Sequence, residues 1–404
     1  MAEAESETRQ GASEAAPSPT FCILPWIHLC ATVDGIWSRC CLDRTAYHES
    51  YWSDDPEPSL ELPEETLGCV AGSHFAPVNP DRVRTLEEAF NGPEMRETRL
   101  SMLEGRRVPA CDYCYEREAK GAISYRIHAN KQFGEVVDIA RLVAETAADG
   151  SYEEFPFFLD LRFGNACNLE CVMCGMPASS RWGRRDPKPW LEAHIDPYAD
   201  DDELQRALEA NVHYLRRIHF AGGEPFMQRR QFELVDLLLA SGAAPRIDLV
   251  YTTNLTLLPL GFLDRLRPFK SVALSASCDG VGPVFERIRV GATWDRFVRN
   301  LDEAQRHDHV RVSLTASPQR DNVAHLGELV DWGTERGLDV DLMNVVMEPR
   351  ELSIRSLPSA EKELRTRELT ALATQHVGVR PRVARAFRHL VEYMNSADAP
   401  PTDR

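Results

Sequence analysis

Between residues 155 and 346, short apolar runs alternate with amphipathic stretches, and this alternation limits the chain to a small set of folds. FPFFLDLRFG is the first strand candidate. RRIHFAGGEP is followed by QRRQFELVDLLLAS, RIDLVYTTN by PLGFLDRLRP, SVALSASCDG by TWDRFVRNLDEAQRH, and VRVSLTAS by HLGELVDWGTERG; DVDLMNVV closes the series. Short strands interleaved with helical patterns pair in parallel, because each returning helix covers a face of the sheet. Five or six such units build an α/β fold of the (β/α) barrel type, partial or complete. Polar residues at the C-terminal ends of its strands then line the mouth.

Directly after the first strand stand Cys167, Cys171 and Cys174, spaced C-x3-C-x2-C. Three thiolates so close in sequence can wrap one face of a cubic iron–sulfur cluster. The fourth iron is then open to a small molecule, unless a histidine or a distant cysteine fills it. Structural zinc sites close with four ligands, and electron-transfer clusters use four cysteines, so a compact triad points to chemistry at an open corner. Ala221-Gly222-Gly223-Glu224-Pro225 ends the next strand, Thr252-Thr253-Asn254 the third, and Ser277-Cys278-Asp279-Gly280 the fourth.

In spacing and order these motifs resemble the radical S-adenosylmethionine superfamily. The resemblance implies a partial (β/α)6 barrel of TIM type and a [4Fe–4S] cluster on Cys167, Cys171 and Cys174. It further implies that the open iron chelates S-adenosylmethionine, and that reductive cleavage yields a 5′-deoxyadenosyl radical which abstracts a substrate hydrogen. By the same resemblance Gly222, Gly223 and Glu224 receive the methionine ammonium, while Asn254 and Ser277 bind the cofactor. Arg289 pairs with its carboxylate, a geometry that suits a guanidinium. Met173 stands before the third cysteine, where the family usually has an aromatic.

A second set of cysteines precedes the barrel. FCILPWIHLCATVDGIWSRCC carries Asp34-Gly35, a hairpin signal between two strand-like runs. The hairpin brings Cys22 and Cys40 together, and the CDYC loop presents Cys111 and Cys114. Four thiolates fit either zinc or a fully ligated cluster, and spacing alone does not separate the two. The pattern resembles a twitch domain, the shortened SPASM-type module that carries one auxiliary [4Fe–4S] cluster, here placed N-terminal to the barrel. Cys41 competes with Cys40 as a ligand; the G-x4-C spacing from Gly35 favours Cys40. Cys30 and His28 read as packing residues, and Cys69 as an incidental thiol. Cys278, at the end of a barrel strand, is a candidate hydrogen-atom donor, although a strand period of two turns it toward the helical layer.

The expected organisation is a disordered leader over 1–20, then a twitch-like domain with a helical linker over 21–150. The barrel follows over 151–350 and a helical extension over 351–404. Thr85 is placed to cap a helix beginning LEEAF. A formal charge of −17 disfavours nucleic acid as a partner, and Arg181, Arg184 and Arg185 read as solvated surface. No apolar run is long enough to span a membrane and no signal peptide is evident, so a cytoplasmic location is expected. Eleven cysteines in a reducing compartment suit metal chemistry better than disulfides. The expected reaction is oxidation or epimerisation of a specialised metabolite of sugar or nucleoside type, with electrons from a partner such as flavodoxin or ferredoxin. The alternatives are crosslinking, epimerisation or oxidation of a ribosomally made peptide, and a non-catalytic zinc scaffold. Glu348, Asp341 and Asn344 are candidate general bases, for which surface solvation is the simpler role.

Overall fold

A computed structural model describes residues 16–46, 55–119, 123–199 and 202–396. Its eight strands are β1 (His28–Ala31), β2 (Trp37–Ser38), β3 (Phe158–Leu161), β4 (Arg217–Phe220), β5 (Asp248–Thr253), β6 (Ser271–Ser277), β7 (Val310–Thr315) and β8 (Asp339–Asp341). They form one sheet in the order β2-β1-β3-β4-β5-β6-β7-β8, parallel throughout except for the β1–β2 hairpin. β3 to β8 are the six strands of a partial barrel, and the sheet is not closed.

The hairpin forms where Asp34-Gly35 predicts it, with Gly35 at φ +83°. A Cβ at Gly35 would stand 2.7 Å from Val70 Cγ2, so both the turn and the packing call for glycine. β1 then pairs in register with β3, His28 opposite Phe158 and Ala31 opposite Leu161. The cysteine-rich segment is therefore continuous with the barrel sheet. Because β1 and β3 run in parallel, Cys22 (before β1) and Cys40 (after the returning β2) lie at the N-terminal end of the sheet. Cys167, after β3, lies at the C-terminal end. Four residues of strand separate these ends, roughly 13 Å before the loops are added.

The period-two pattern divides the sheet into two faces. Leu249, Tyr251, Val272, Leu274, Ala276 and Leu314 are buried, and Tyr251 hydrogen-bonds Gln231 on the helix Arg229–Ala240, which marks this face as the helix side. The alternate residues, among them His219, Thr252, Ser275, Ser277 and Thr315, face inward. His219 reaches Thr252, and Ser275 reaches Thr315, across neighbouring strands of this inner face.

Thr85 caps the helix Leu86–Asn91 in a capping box with Glu88. The helical linker expected before the barrel includes the helix Ile139–Glu145, capped by Asp138. Ser18 and Thr20, read as the end of a free leader, are instead tied to the carbonyl of Met102; residues 1–15 lie outside the described residues. The C-terminal stretch forms the helices Ser359–His376 and Pro381–Asn395. The second helix touches β8, and its His389 accepts a hydrogen bond from Arg117 at 2.9 Å. It thus bridges the far edge of the sheet and the cysteine-bearing helix Asp112–Ala119. Among the described residues no helix is long and apolar enough to cross a membrane.

Candidate active site

The triad loop is shaped by Asn165, a fully buried residue that the motif search passes over. Its amide donates to the carbonyls of Met176 (2.9 Å) and Ala193 (3.0 Å) and accepts from Ile195 N at 2.8 Å. Ser179 Oγ donates to Leu169 O at 2.6 Å, and Trp182 Nε1 to Cys171 O at 2.9 Å. The loop also pairs with the segment around Arg289, through Glu170 N to Val290 O and Val172 N to Ile288 O. A loop held at this many points keeps its thiols in place before any metal arrives.

Cys167 and Cys171 are buried, and Cys174 partly so. Asn254 Nδ2 lies 3.9 Å from Cys167 Sγ, and Arg289 Nη1 3.9 Å from Cys171 Sγ. The Cys174 hydrogen bond and the Arg289 charge, against the cost of burial, hold the Cys171 thiol below its usual range, while the same bond and burial push Cys174 up and burial raises Cys167. Donors and a cation aimed at buried sulfurs suit thiolate ligands. Arg289 is itself paired with the buried carboxylate of Asp279 at 2.8 Å, so the site carries a compensated positive charge.

The glycines of the second motif touch the triad loop directly. Gly223 N donates to Gly164 O at 3.1 Å and Glu224 N to Ala166 O at 2.8 Å. A Cβ on Gly223 would stand 2.3 Å from Ala166 O and 2.6 Å from Asn165 C, both of them backbone atoms. Gly222 has φ +116°. Gly223→Ala is therefore expected to force the two loops apart, costing about 1–3 kcal/mol as overpacking does. A lowered Tm together with weaker retention of iron after reconstitution checks this.

The Glu224 carboxylate is fully buried and committed to the protein. Oε1 accepts from Thr253 Oγ1 (2.7 Å) and Phe226 N (3.1 Å), and Oε2 accepts from Asn254 N (2.8 Å). Burial pushes its acid up to about 7. It knits the ends of β4 and β5 together. Asn254 has a similar part, donating to Asn168 Oδ1 at 3.0 Å and accepting from Thr256. Ser277 is on the inner face, half-buried.

Cys278 corrects the hydrogen-donor expectation. Its thiol is wholly buried on the face of Leu274 and Ala276, donates to Gly280 O at 3.3 Å, and is pushed up to about 12, chiefly by burial. A thiol turned to the helical layer cannot reach a substrate in the barrel. Asp341, Asn344 and Glu348 are exposed, as solvated residues are.

At the other end of the sheet, burial raises the thiols of Cys22, Cys40, Cys111 and Cys114, and they feel one another's charge. Cys114 acts on Cys22, while Cys41, Cys111 and Cys22 act on Cys40. Cys22 and Cys114 in turn act on Cys111. Arg39 holds the loop through Asp43 (2.9 Å), Thr98 (2.7 Å) and Glu65 O (2.7 Å), and Arg126 holds Phe21 O at 2.7 Å. For Cys41, after burial the strongest influences are Arg162 and Asp160, with Cys114 behind them. Among the described residues no three His, Cys, Asp or Glu side chains converge on one metal-ion position. A cubic cluster takes each thiolate on a separate iron, so its ligands stand wider apart than around a single ion.

The inner face holds a group that the motif search missed. Asp160 on β3 is 2% exposed and takes both Arg162 Nε and Nη2 at 3.1 Å. His219, opposite it on β4, brings Nδ1 to 3.3 Å from Asp160 Oδ2. Burial alone would raise the Asp160 acid, but Arg162 and His219 outweigh it and hold the carboxylate well below its usual range. The sequence signal was present: D-x-R in DLRFG and the His in RRIHF are polar residues at inward positions of otherwise apolar strands.

Residues 161–332 match the family model described as the Radical SAM superfamily, so the chain carries a radical SAM domain. Such a domain implies a [4Fe–4S] cluster and S-adenosylmethionine, for which the buried triad provides a fitting set of thiols. Among curated proteins, GTP 3′,8-cyclases from Brucella canis and Brucella suis are 30% identical over 153 residues, 36% of this chain and 43% of theirs. The chain thus spans less than half the length of these relatives. Among solved structures, anSMEcpe with bound AdoMet and Cp18Cys peptide is 14% identical with a TM-score of 0.41, covering 55% of this chain and 60% of that one. Streptococcus suis SuiB bound to precursor peptide SuiA is 17% identical with a TM-score of 0.40, covering 66% and 60%.

Proposed function

We propose that this protein is a two-cluster radical enzyme, and that it oxidises or epimerises a small specialised metabolite of sugar or nucleoside type in the cytoplasm. Cys167, Cys171 and Cys174 would hold the first [4Fe–4S] cluster. The observation that carries this reading is the triad itself: three gathered thiols at the C-terminal end of the sheet, with the neighbouring Cys278 turned away to Gly280 O. In this reading a ligand position is left open. When bound, the cluster and S-adenosylmethionine supply a 5′-deoxyadenosyl radical that abstracts a hydrogen atom. The chain's part is to hold and orient. The backbone at Gly222 and Gly223 offers the close approach for the methionine end, Ser277 lies on the inner face, and Arg289 keeps positive charge beside Cys171. With both Glu224 oxygens engaged, the ammonium contact falls to backbone in this reading.

Cys22, Cys40, Cys111 and Cys114 would hold an auxiliary [4Fe–4S] cluster, supported by their mutual electrostatic influence and by the buried arginines that pin their loops. The inner face carries the hydroxyls of Thr252, Ser275, Ser277 and Thr315, which suit a hydroxyl-rich substrate. The partial likeness to GTP 3′,8-cyclases, named for a nucleotide, points the same way. A flavodoxin- or ferredoxin-type reductant would supply the electron. The test offers perdeuterated hexoses and nucleosides to the reduced, reconstituted protein with S-adenosylmethionine and weighs the 5′-deoxyadenosine by mass spectrometry. Deuterium is expected from a member of these classes. Transfer from a peptide and from none of these would replace the reading with peptide modification.

A further inference from the structure

We propose that His219 is an acid–base residue of this protein, transferring a proton between its Nε2 and a substrate hydroxyl inside the barrel, with Asp160 and Thr252 as its positioning residues. The inference rests on the reading above for its substrate class, and on geometry for its residue.

Three adjacent strands supply the arrangement. Asp160 on β3 and His219 on β4 are register partners, and Thr252 stands on the next strand, β5. Nδ1 of His219 lies 3.3 Å from Asp160 Oδ2 and Nε2 lies 2.9 Å from Thr252 Oγ1. A carboxylate beside Nδ1 selects the tautomer that carries its proton there, which leaves the Nε2 lone pair free to accept. The Asp160 oxygens are already engaged by Arg162, so the carboxylate cannot swing away from the ring. The other titratable groups facing this cluster are His28 and Cys30 on β1, together with Cys41 and Tyr125, both of which burial raises. Burial lowers His28 to about 4 and raises Cys30 well above its usual range, which leaves both uncharged at neutral pH. His219 itself keeps 21% of its side chain accessible while Asp160 keeps 3%, so the imidazole is the member of the pair open to the barrel.

In the proposed step a proton leaves the substrate O–H and binds Nε2 in the place now held by Thr252, while the O–H electron pair stays on the substrate oxygen. The imidazolium so formed is held by the Asp160 carboxylate, and the reverse transfer returns the proton. Hydrogen-atom abstraction from the neighbouring carbon acidifies such a hydroxyl, so a base is useful there only after the radical has acted.

Two measurements test this. In the reconstituted protein, 15N shifts of the His219 ring (assigned by their loss in His219→Gln) should report the Nδ1–H tautomer, and Asp160→Asn should convert it to a mixture. An Nε2–H tautomer in the unaltered protein overturns the proposal, whatever the substrate proves to be. With perdeuterated hexoses and nucleosides as probes, His219→Gln should lower conversion of the probe by about 100-fold or more, the usual weight of a positioned base, while label transfer into 5′-deoxyadenosine falls far less. Undiminished conversion overturns the proposal. So does loss of label transfer in step with conversion, because His219 would then serve binding or folding. If the unaltered protein takes label from none of the probes, the substrate reading fails and the tautomer alone decides the residue.

Discussion

Cys171→Ala is expected to abolish 5′-deoxyadenosine formation and to halve the iron of the reconstituted protein, from about eight to about four per chain. The change removes one ligand of three, and three is the least that leaves a single iron open. It should leave the fold intact. The loop at residue 171 is held by backbone contacts, Trp182 Nε1 and Cys174 N both donating to Cys171 O, and neither needs the sulfur. Iron analysis, the visible absorbance of the cluster and chromatography of the nucleoside are the measurements, with an unchanged melting curve as the control. A variant that forms 5′-deoxyadenosine at the unaltered rate would remove the triad from the radical step. Arg289 should be felt here too, since its guanidinium stands over this sulfur.

The second large effect concerns the other end of the sheet. Cys40→Ala is expected to lose about four irons per chain, those of the auxiliary cluster, and with them substrate conversion. Cleavage of S-adenosylmethionine should persist, because the triad lies a strand length away. Cys41→Ala is expected to keep the full iron content. Cys40 feels Cys41, Cys111 and Cys22, whereas Cys41 feels Arg162 and Asp160 ahead of Cys114, so adjacent cysteines in the sequence stand in different surroundings. Zinc in place of iron at this end, or equal iron loss in both variants, would overturn the assignment. Because Arg39 and Arg126 sit beside the thiols, removal of the metal should also lower Tm, as buried cations then lose their nearby thiolates.

Much of this was legible in the residues. The capping box of Thr85 and Glu88, the Asp34-Gly35 hairpin and the alternation of strands and helices are short-range patterns, and each formed where it was expected. The period of two also turned Cys278 to the helix side, where its thiol is buried. What motif reading got least well was the use of individual polar groups. Glu224 carries a motif position, yet both its oxygens answer to Thr253, Asn254 and Phe226, which only the pairing of β4 with β5 brings near. His219 belongs to no motif, and its partners lie on two other strands.

By itself, the sequence determined the triad. Seven residue steps from Cys167 to Cys174 reach at most roughly 25 Å when extended, so the spacing keeps the three thiols neighbours, and the contacts of Asn165, Ser179 and Trp182 fold the loop that gathers them. It determined the strand-and-helix alternation in the same way, through contacts between near neighbours. Only the tertiary structure decided that β1 joins β3 across 130 residues, that the two cysteine sets face opposite ends of one sheet, and that Asp160, His219 and Thr252 meet on its inner face. Those relations depend on strand order and register, which arise from burial of the whole apolar face at once, and no local spacing encodes them.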